Sequence, residues 1–265
     1  MRADLGRPGM NVLLTGGSSG IGAATARLLA AEGHTVAIVG RRTDRLHAVL
    51  EDCLRDAPRS RAWVADLDDL ELAEAIVDEA DDQIGPLDAI VNNAAVPKRL
   101  PVQEMTAAIT EEVMRVNFFS PVRMTLRLLP RMLERGYGVI VNVASLGGRL
   151  GIAHESAYCA SKFALTGWSE SLAIDLHGTG VAVRLIQPGP IDTDIWDRPG
   201  ERPAALDVPK EPPGIVARVI ADALTGERFE YYVPDLKAVV DYKQSDMDGF
   251  IASTAAMVAR GQEGD

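Results

Sequence analysis

Cysteine is nearly missing from this chain: Cys53 and Cys159 are the only two among 265 residues. That excludes a disulfide scaffold and a cysteine metal cluster. Histidine is also scarce. His34, His47, His154 and His177 show no ligand spacing, so no metal site is expected. Positive charge is in deficit, with 27 Lys and Arg against 38 Asp and Glu and a net charge of −11. Such a chain is a poor non-specific binder of nucleic acid or anionic membrane. No apolar run approaches about 18 residues, so no membrane span is expected. Residues 1–9 are polar and carry Gly6, Pro8 and Gly9, unlike a secretory signal. They read as a flexible leader, with Met10 as a second candidate start. The lack of targeting signals points to the cytoplasm. No internal repeat or low-complexity tract is present.

Apolar residues make up 47% and charged residues 25%, ordinary values for a globular protein with a sizeable core. Short β-branched runs occur at Asn11–Thr15, Thr35–Val39, Ala62–Ala65, Ala89–Asn92, Val139–Val143, Val181–Gln187 and Glu230–Val233. Several are almost purely apolar, as strands covered on both faces should be. Between them, Ile21–Glu32, Thr43–Cys53, Leu70–Gln83, Val102–Gly136 and Ala157–Gly178 have helical length and spacing. The alternation predicts an α/β fold over residues 10–234: a doubly wound, mostly parallel seven-stranded sheet with helices on both faces. Residues 194–213 are rich in Pro, Arg, Asp and Glu without a period, and a loop that long is usually functional. Trp196 within it suits either an anchor for that loop or a cover over substrate. Residues 235–265 read as a helical extension of the same domain.

The first strand runs straight into Gly16-Gly17-Ser18-Ser19-Gly20-Ile21-Gly22, and a helical stretch follows. Glycine permits positive φ and lets backbone N–H groups approach a pyrophosphate. Ser18 and Ser19 add hydroxyl donors, and Gly22 lets helix and strand pack closely. A tight turn needing glycine for packing alone is the competing explanation. About 20 residues on, an NAD-type site places a carboxylate against the ribose 2′-hydroxyl. Here that place holds Gly40, followed by Arg41 and Arg42. Guanidinium groups match a 2′-phosphate, and at the place of the usual acid no carboxylate remains to repel it, which favours NADP(H) over NAD(H). Two solvated loop arginines are the alternative. Asp44 belongs to the first turn of the next helix, where Thr43 can cap. Asp66 can cap a helix beginning near Asp68.

Tyr158 and Lys162 stand four apart, on one helical face. A free phenol has a pKa of about 10; bringing it near 7 takes roughly 4 kcal/mol of differential stabilisation. A buried ammonium beside a positive nicotinamide ring can supply that. Ser145 closes the fifth strand, on the edge where open parallel sheets bind ligands, and can hold a carbonyl oxygen while charge develops. His154, four residues before Tyr158, is either a substrate contact or a plain loop residue. Cys159 reads as a small buried hydrophobe, and Ser161 as a packing residue.

These motifs together resemble the short-chain dehydrogenases/reductases, from Met10 to about Val233. The turn is similar to the family's Thr-Gly-x-x-x-Gly-Ile-Gly, and Tyr158-x-x-Ser161-Lys162 to its catalytic string. The resemblance implies Tyr158 as general acid/base, Lys162 tuning it, Ser145 orienting substrate, and Asn117 as a helix-distorting member of a proton relay. It implies that Asp66 touches the adenine amino group and Leu67 packs on the ring. Asn93-Ala94-Ala95 after Asn92 resembles the family's Asn-Asn-Ala-Gly beside the cofactor, with Ala95 in place of Gly. Pro188-Gly189-Pro190-Ile191-Asp192-Thr193 resembles the segment that binds the nicotinamide carboxamide, through the Ile191 backbone and the Thr193 hydroxyl. A homodimer through Val102–Gly136 and Ala157–Gly178 is implied. A tetramer is put in doubt, because the C-terminus reads as helix where many members have a strand.

The expected function is NADP(H)-dependent interconversion of an alcohol and a carbonyl on a small molecule. Leu146–His154, Val96–Lys98 and Ile195–Pro213 are the expected pocket walls, and their apolar residues suggest a fairly hydrophobic substrate. A non-catalytic dinucleotide-binding regulator, an NAD(H)-dependent dehydrogenase, and a lyase or epimerase are the competing readings.

Overall fold

The computed structural model describes residues 9–197, 201–206 and 208–262. The expected leader therefore lies outside the described residues, apart from Gly9. Seven strands form one parallel sheet: β1 (Asn11–Thr15), β2 (Thr35–Gly40), β3 (Arg61–Val64), β4 (Ala89–Asn92), β5 (Gly138–Val143), β6 (Val181–Pro188) and β7 (Glu230–Val233). Their spatial order is β3-β2-β1-β4-β5-β6-β7, with every pairing parallel. The chain winds outward from β1 to β3, then returns to the other side of β1. That reversal opens a crevice beyond the carboxyl ends of β1 and β4, where such sheets bind ligands.

Side-chain alternation along each strand divides the core into two layers. Val12 and Leu14 of β1 face one layer with Val36 and Ile38. Leu13, Ala37, Val39 and Ile90 face the other. The first layer is covered by α1 (Gly20–Ala31), α2 (Thr43–Leu54) and α7 (Pro213–Thr225). The second is covered by α3 (Leu70–Ile84), α5 (Ser120–Arg135) and α6 (Ser156–Asp175). Helix α7 was not expected from the sequence. Its signals are plain in hindsight: Pro213 sits in the first turn, where a missing N–H costs nothing, and Val216, Ala217, Ile220 and Leu224 make the buried stripe.

The expected single helix over Val102–Gly136 is broken into pieces. A short 3-10 turn spans Val102–Glu104 and α4 spans Ala107–Met114. A π-helical segment, Arg115–Phe119, joins α4 to α5. Thr106 starts α4, its hydroxyl accepting from the Ile109 N–H at 3.2 Å. Two expected caps are also corrected. Thr43 is the first residue inside α2, with Arg42 at the cap position and no side-chain hydrogen bond there. Asp69, not Asp66, caps α3, accepting from the Leu72 N–H at 3.0 Å. The C-terminal stretch is helical as expected, but in two pieces, α8 (Lys237–Ser245) and α9 (Met247–Gln262). Among the described residues no helix is long and apolar enough to cross a membrane.

Candidate active site

The glycine turn follows β1 without slack. Gly20 adopts φ +52°, and a Cβ there would lie 2.8 Å from Thr193 Cγ2. A Cβ on Gly22 would lie 2.2 Å from the Gly16 carbonyl oxygen, so only glycine lets α1 sit this close to the turn. Thr15 ties β1 to the end of β4: its Oγ1 accepts from the N–H groups of Asn93 and Ala94, both at 3.0 Å. Asn93 Nδ2 donates to the Thr15 carbonyl at 2.9 Å. The cleft that opens above has a volume of about 920 Å³, near the top of the usual range of roughly 300–1,000 Å³ for ligand sites. All predicted cofactor residues border it, as do Ser145, Tyr158 and Lys162; Asn117 does not. The glycine cradle, the helix N-terminus behind it and the size of the cleft fit a dinucleotide.

At the β2 end of the cleft the sequence was misleading. Arg41 and Arg42 are there, but two carboxylates from distant segments meet them. Arg41 Nη1 lies 3.3 Å from Asp66 Oδ2. Arg42 Nη1 donates to Asp194 Oδ2 at 2.6 Å, and Arg45 binds the same oxygen. Arg42 also donates to the Ser19 hydroxyl. The Arg42 guanidinium holds the Asp194 carboxyl below its ordinary pKa. Three guanidinium groups therefore face two carboxylates, which leaves one net positive charge at this corner.

At the other end, β5 delivers Ser145 and α6 delivers Tyr158 and Lys162. The Ser145 N–H donates to Gln187 Oε1 at 3.2 Å. Gln187 is held in turn by Glu230, to which its Nε2 donates at 3.0 Å. Arg149 bridges Glu230 and Glu170. Burial pushes the Tyr158 phenol above its ordinary pKa, and the Ser145 hydroxyl pulls the other way. Lys162 is 2% exposed. Its Nζ donates to the Val143 carbonyl at 2.9 Å and lies 5.8 Å from the centre of the Tyr158 ring. Burial pulls its pKa down to about 7. Within the protein itself the downward pulls on Tyr158 come from Ser145 and then Arg99, not from Lys162.

Asn117 lies in the π-helical segment, 1% exposed. Its Oδ1 accepts from the Val96 N–H at 2.8 Å, and its Nδ2 donates to the Val96 carbonyl at 2.9 Å and to Ser161 Oγ at 3.0 Å. It clamps the loop after β4 to α6. His154 does not border the cleft; its carbonyl accepts from the Leu100 N–H at 2.8 Å. Trp196 both borders the cleft and is anchored, its Nε1 donating to the Ile191 carbonyl at 2.6 Å.

A family model described as short chain dehydrogenase matches residues 10–203. The chain belongs to the short-chain dehydrogenase family. Ketoacyl reductase HetN of Nostoc sp. is 33% identical over 224 residues, covering 82% of this chain and 77% of that protein. Levodione reductase of Leifsonia aquatica is 32% identical over 254 residues, covering 95% and 93%. Among solved structures, a metagenomic short-chain oxidoreductase in complex with NADP superposes with a TM-score of 0.72 at 28% identity, over 84% of this chain and 96% of that one. A Burkholderia phymatum short-chain dehydrogenase/reductase in complex with NAD shares the fold, with a TM-score of 0.83 at 24% identity over 91% and 94%. The short-chain dehydrogenase relatives thus include binders of either dinucleotide.

The substrate half of this short-chain dehydrogenase holds residues that sequence reasoning missed. Phe250, Thr254 and Met257 of α9 border the cleft, with Leu236 and Val239. Their spacing on α9, four and then three residues, was visible as helical amphipathicity, but nothing in it pointed to a cleft. Arg99 is 2% exposed. It ties the loop after β4 to the loop that follows β6, donating to the carbonyls of Ile195, Trp196 and Arg202 at 3.0, 2.8 and 2.8 Å. Glu155, 8% exposed, borders the same space one helical turn before Tyr158.

Proposed function

We propose that the chain is an NADP(H)-dependent oxidoreductase that interconverts a carbonyl and an alcohol. The observation that carries this is that Ser145, the Tyr158 phenol and buried Lys162 border the same cleft as the glycine turn. A dinucleotide regulator without turnover has no use for that constellation. The cofactor supplies the hydride, and its oxidised ring adds a positive charge. Gly16, Ser18, Ser19, Gly20, Ile21 and Gly22 would cradle its pyrophosphate. Asp66, Leu67, Asn93, Ala94 and Ala95 would border the adenosine half, and Pro188, Gly189, Ile191 and Thr193 the nicotinamide carboxamide. Arg41 and Arg42, helped by Arg45, would take the 2′-phosphate. The net positive charge of that corner supports NADP(H) over NAD(H).

In the reductive direction Ser145 holds the carbonyl oxygen and Tyr158 donates the proton to it. A phenol whose pKa is raised by burial keeps its proton at neutral pH, which suits it as the acid. Lys162, with a pKa near 7, is then placed to restore the proton on the Tyr158 side of the site. Asn117 would serve the relay by fixing Val96 and Ser161. A homodimer is part of this reading. Leu126 and Leu133 of α5, and Phe163 and Ile174 of α6, are 51%, 42%, 40% and 75% exposed. Large apolar side chains left exposed on the helices that cover one face of the sheet suit a subunit interface.

The test is Tyr158→Phe. Binding of NADPH, read by titration of the cofactor's fluorescence, should stay within a few-fold of wild type, while turnover of any carbonyl the wild type reduces should fall at least about 100-fold. Turnover retained at the wild-type rate rejects the acid/base role.

A further inference from the structure

We propose that Glu155 binds a hydroxyl group of the substrate next to the reacting carbonyl, so that the preferred substrates are α-hydroxy ketones and their vicinal diols. This rests on the carbonyl-reductase reading above and narrows it to a substrate class.

Glu155 stands at the cap position of α6, three residues before Tyr158, which places the two side chains on neighbouring parts of one helical face. It borders the cleft and is 8% exposed. Among the described residues its carboxyl has no hydrogen-bond or ion-pair partner. Its neighbours are engaged elsewhere. Glu201 accepts from the Arg99 N–H at 2.8 Å and lies 3.6 Å from Lys98 Nζ. Arg99 spends its Nε and Nη2 on three backbone carbonyls. The backbone just before Glu155 is held in place: His154 has φ +65°, a left-handed conformation uncommon outside glycine, and its carbonyl is bonded to Leu100. A carboxyl that opens to the cleft and meets no protein donor keeps its hydrogen-bonding capacity. Such a group at the edge of a ligand cleft is satisfied when a ligand brings the complementary group.

The chemistry of the ligand group follows from the surroundings. A second cation would meet Arg99 and Lys98. A carboxylate would meet Glu155 and Glu201, and Arg99 has little left to offer it. A hydroxyl is neutral and both donates and accepts, so it pairs with a carboxyl in either protonation state. Leu150, Ile152, Trp196, Leu206, Phe250 and Met257 supply apolar wall elsewhere in the cleft. The carbon skeleton packs there, the carbonyl oxygen goes to Ser145 and Tyr158, and the adjacent hydroxyl goes to Glu155. In the step itself the carbonyl carbon gains the hydride from the reduced cofactor and the oxygen gains the Tyr158 proton. The C=O π bond is lost, a vicinal diol forms, and the cofactor is oxidised by two electrons. The hydroxyl on Glu155 is unchanged.

The experiment compares matched pairs: 2-hydroxycyclohexanone against cyclohexanone, and 3-hydroxy-2-butanone against 2-butanone. The quantity read is the ratio of kcat/KM within each pair, for wild type, Glu155→Gln and Glu155→Leu. Each variant is first shown to bind NADPH and to melt cooperatively. The wild type should favour the hydroxy ketone by about 10-fold or more, Glu155→Gln should keep part of the preference, and Glu155→Leu should bring the ratio near one. An unchanged ratio in Glu155→Leu overturns the proposal. So does a wild type that shows no preference, or that reduces neither hydroxy ketone. Failure of the underlying reading would show differently, as Tyr158→Phe working at the wild-type rate on whichever carbonyl the chain reduces.

Discussion

The buried carboxyl at Glu155 has a consequence for stability that does not depend on any substrate. Burial raises its pKa from 4.5 to about 7; Arg99 pulls the other way and Glu201 adds to the rise. Tyr158, which also feels Glu155, titrates well above neutrality. With the folded value raised, the native chain keeps the Glu155 proton over a range in which the unfolded chain has lost it. The contribution is therefore full at low pH and is lost as pH rises from about 4.5 through about 7. At about 1.36 kcal/mol per tenfold change, the penalty on the ionised form comes to about 3 kcal/mol. Glu155→Gln has the same shape and cannot ionise. Urea unfolding of wild type and variant at about pH 5 and about pH 8 isolates the effect, because groups common to both proteins cancel in the difference. The stability of Glu155→Gln relative to wild type should rise by about 2–3 kcal/mol between the two pH values. A difference that stays flat with pH would show that the Glu155 carboxyl is solvated or paired, and would remove the basis for reading it as a ligand contact.

Cofactor binding tests the corner at β2. Asp194 pairs with Arg42 and Arg45, the groups proposed to take the 2′-phosphate, so Asp194→Asn should tighten NADPH binding about 10-fold and leave NADH binding nearly unchanged. Arg42→Ala should weaken NADPH by about 10- to 100-fold and NADH much less; equal losses in calorimetric titrations would contradict a phosphate role. The proposed dimer makes its own claim: charging the exposed apolar face, with Leu126→Lys and Ile174→Lys together, should convert a dimer to a monomer in analytical ultracentrifugation, and a wild-type monomer would refute the interface.

Chain-local features of this protein were legible in the sequence. The central strands announce themselves as apolar, β-branched runs, because strands buried on both faces tolerate little else, and the strand boundaries fall within a residue of those expected. The glycine turn was legible because a Cβ at Gly20 or Gly22 has nowhere to go. Ser145, Tyr158 and Lys162 were legible as a string at the ends of elements, where this sheet topology collects ligands. The break in Val102–Gly136 was harder, since Asn117 looks like any polar residue in a helix until its amide is seen bonded to Val96 and Ser161.

What stayed hidden depends on pairs of residues far apart in the chain. Arg42 and Asp194 are 152 positions apart, so the sequence near Arg42 shows a cationic corner where folding makes a nearly balanced one. Arg99 reads as an ordinary loop cation until the fold surrounds it with carbonyls from the loop after β6. The Tyr158–Lys162 pair shows the same limit in energetic form. Spacing alone says that an ammonium lies near a phenol and should stabilise the phenolate. Burial, which spacing does not report, disfavours both charged forms, raising the phenol and lowering the ammonium to about 7. The two effects oppose each other, and within the protein's own atoms desolvation is the larger. On the proposed mechanism, oxidation of an alcohol, which needs the phenolate, has to draw on positive charge that the cofactor brings, while reduction of a carbonyl needs only the protonated phenol that burial favours.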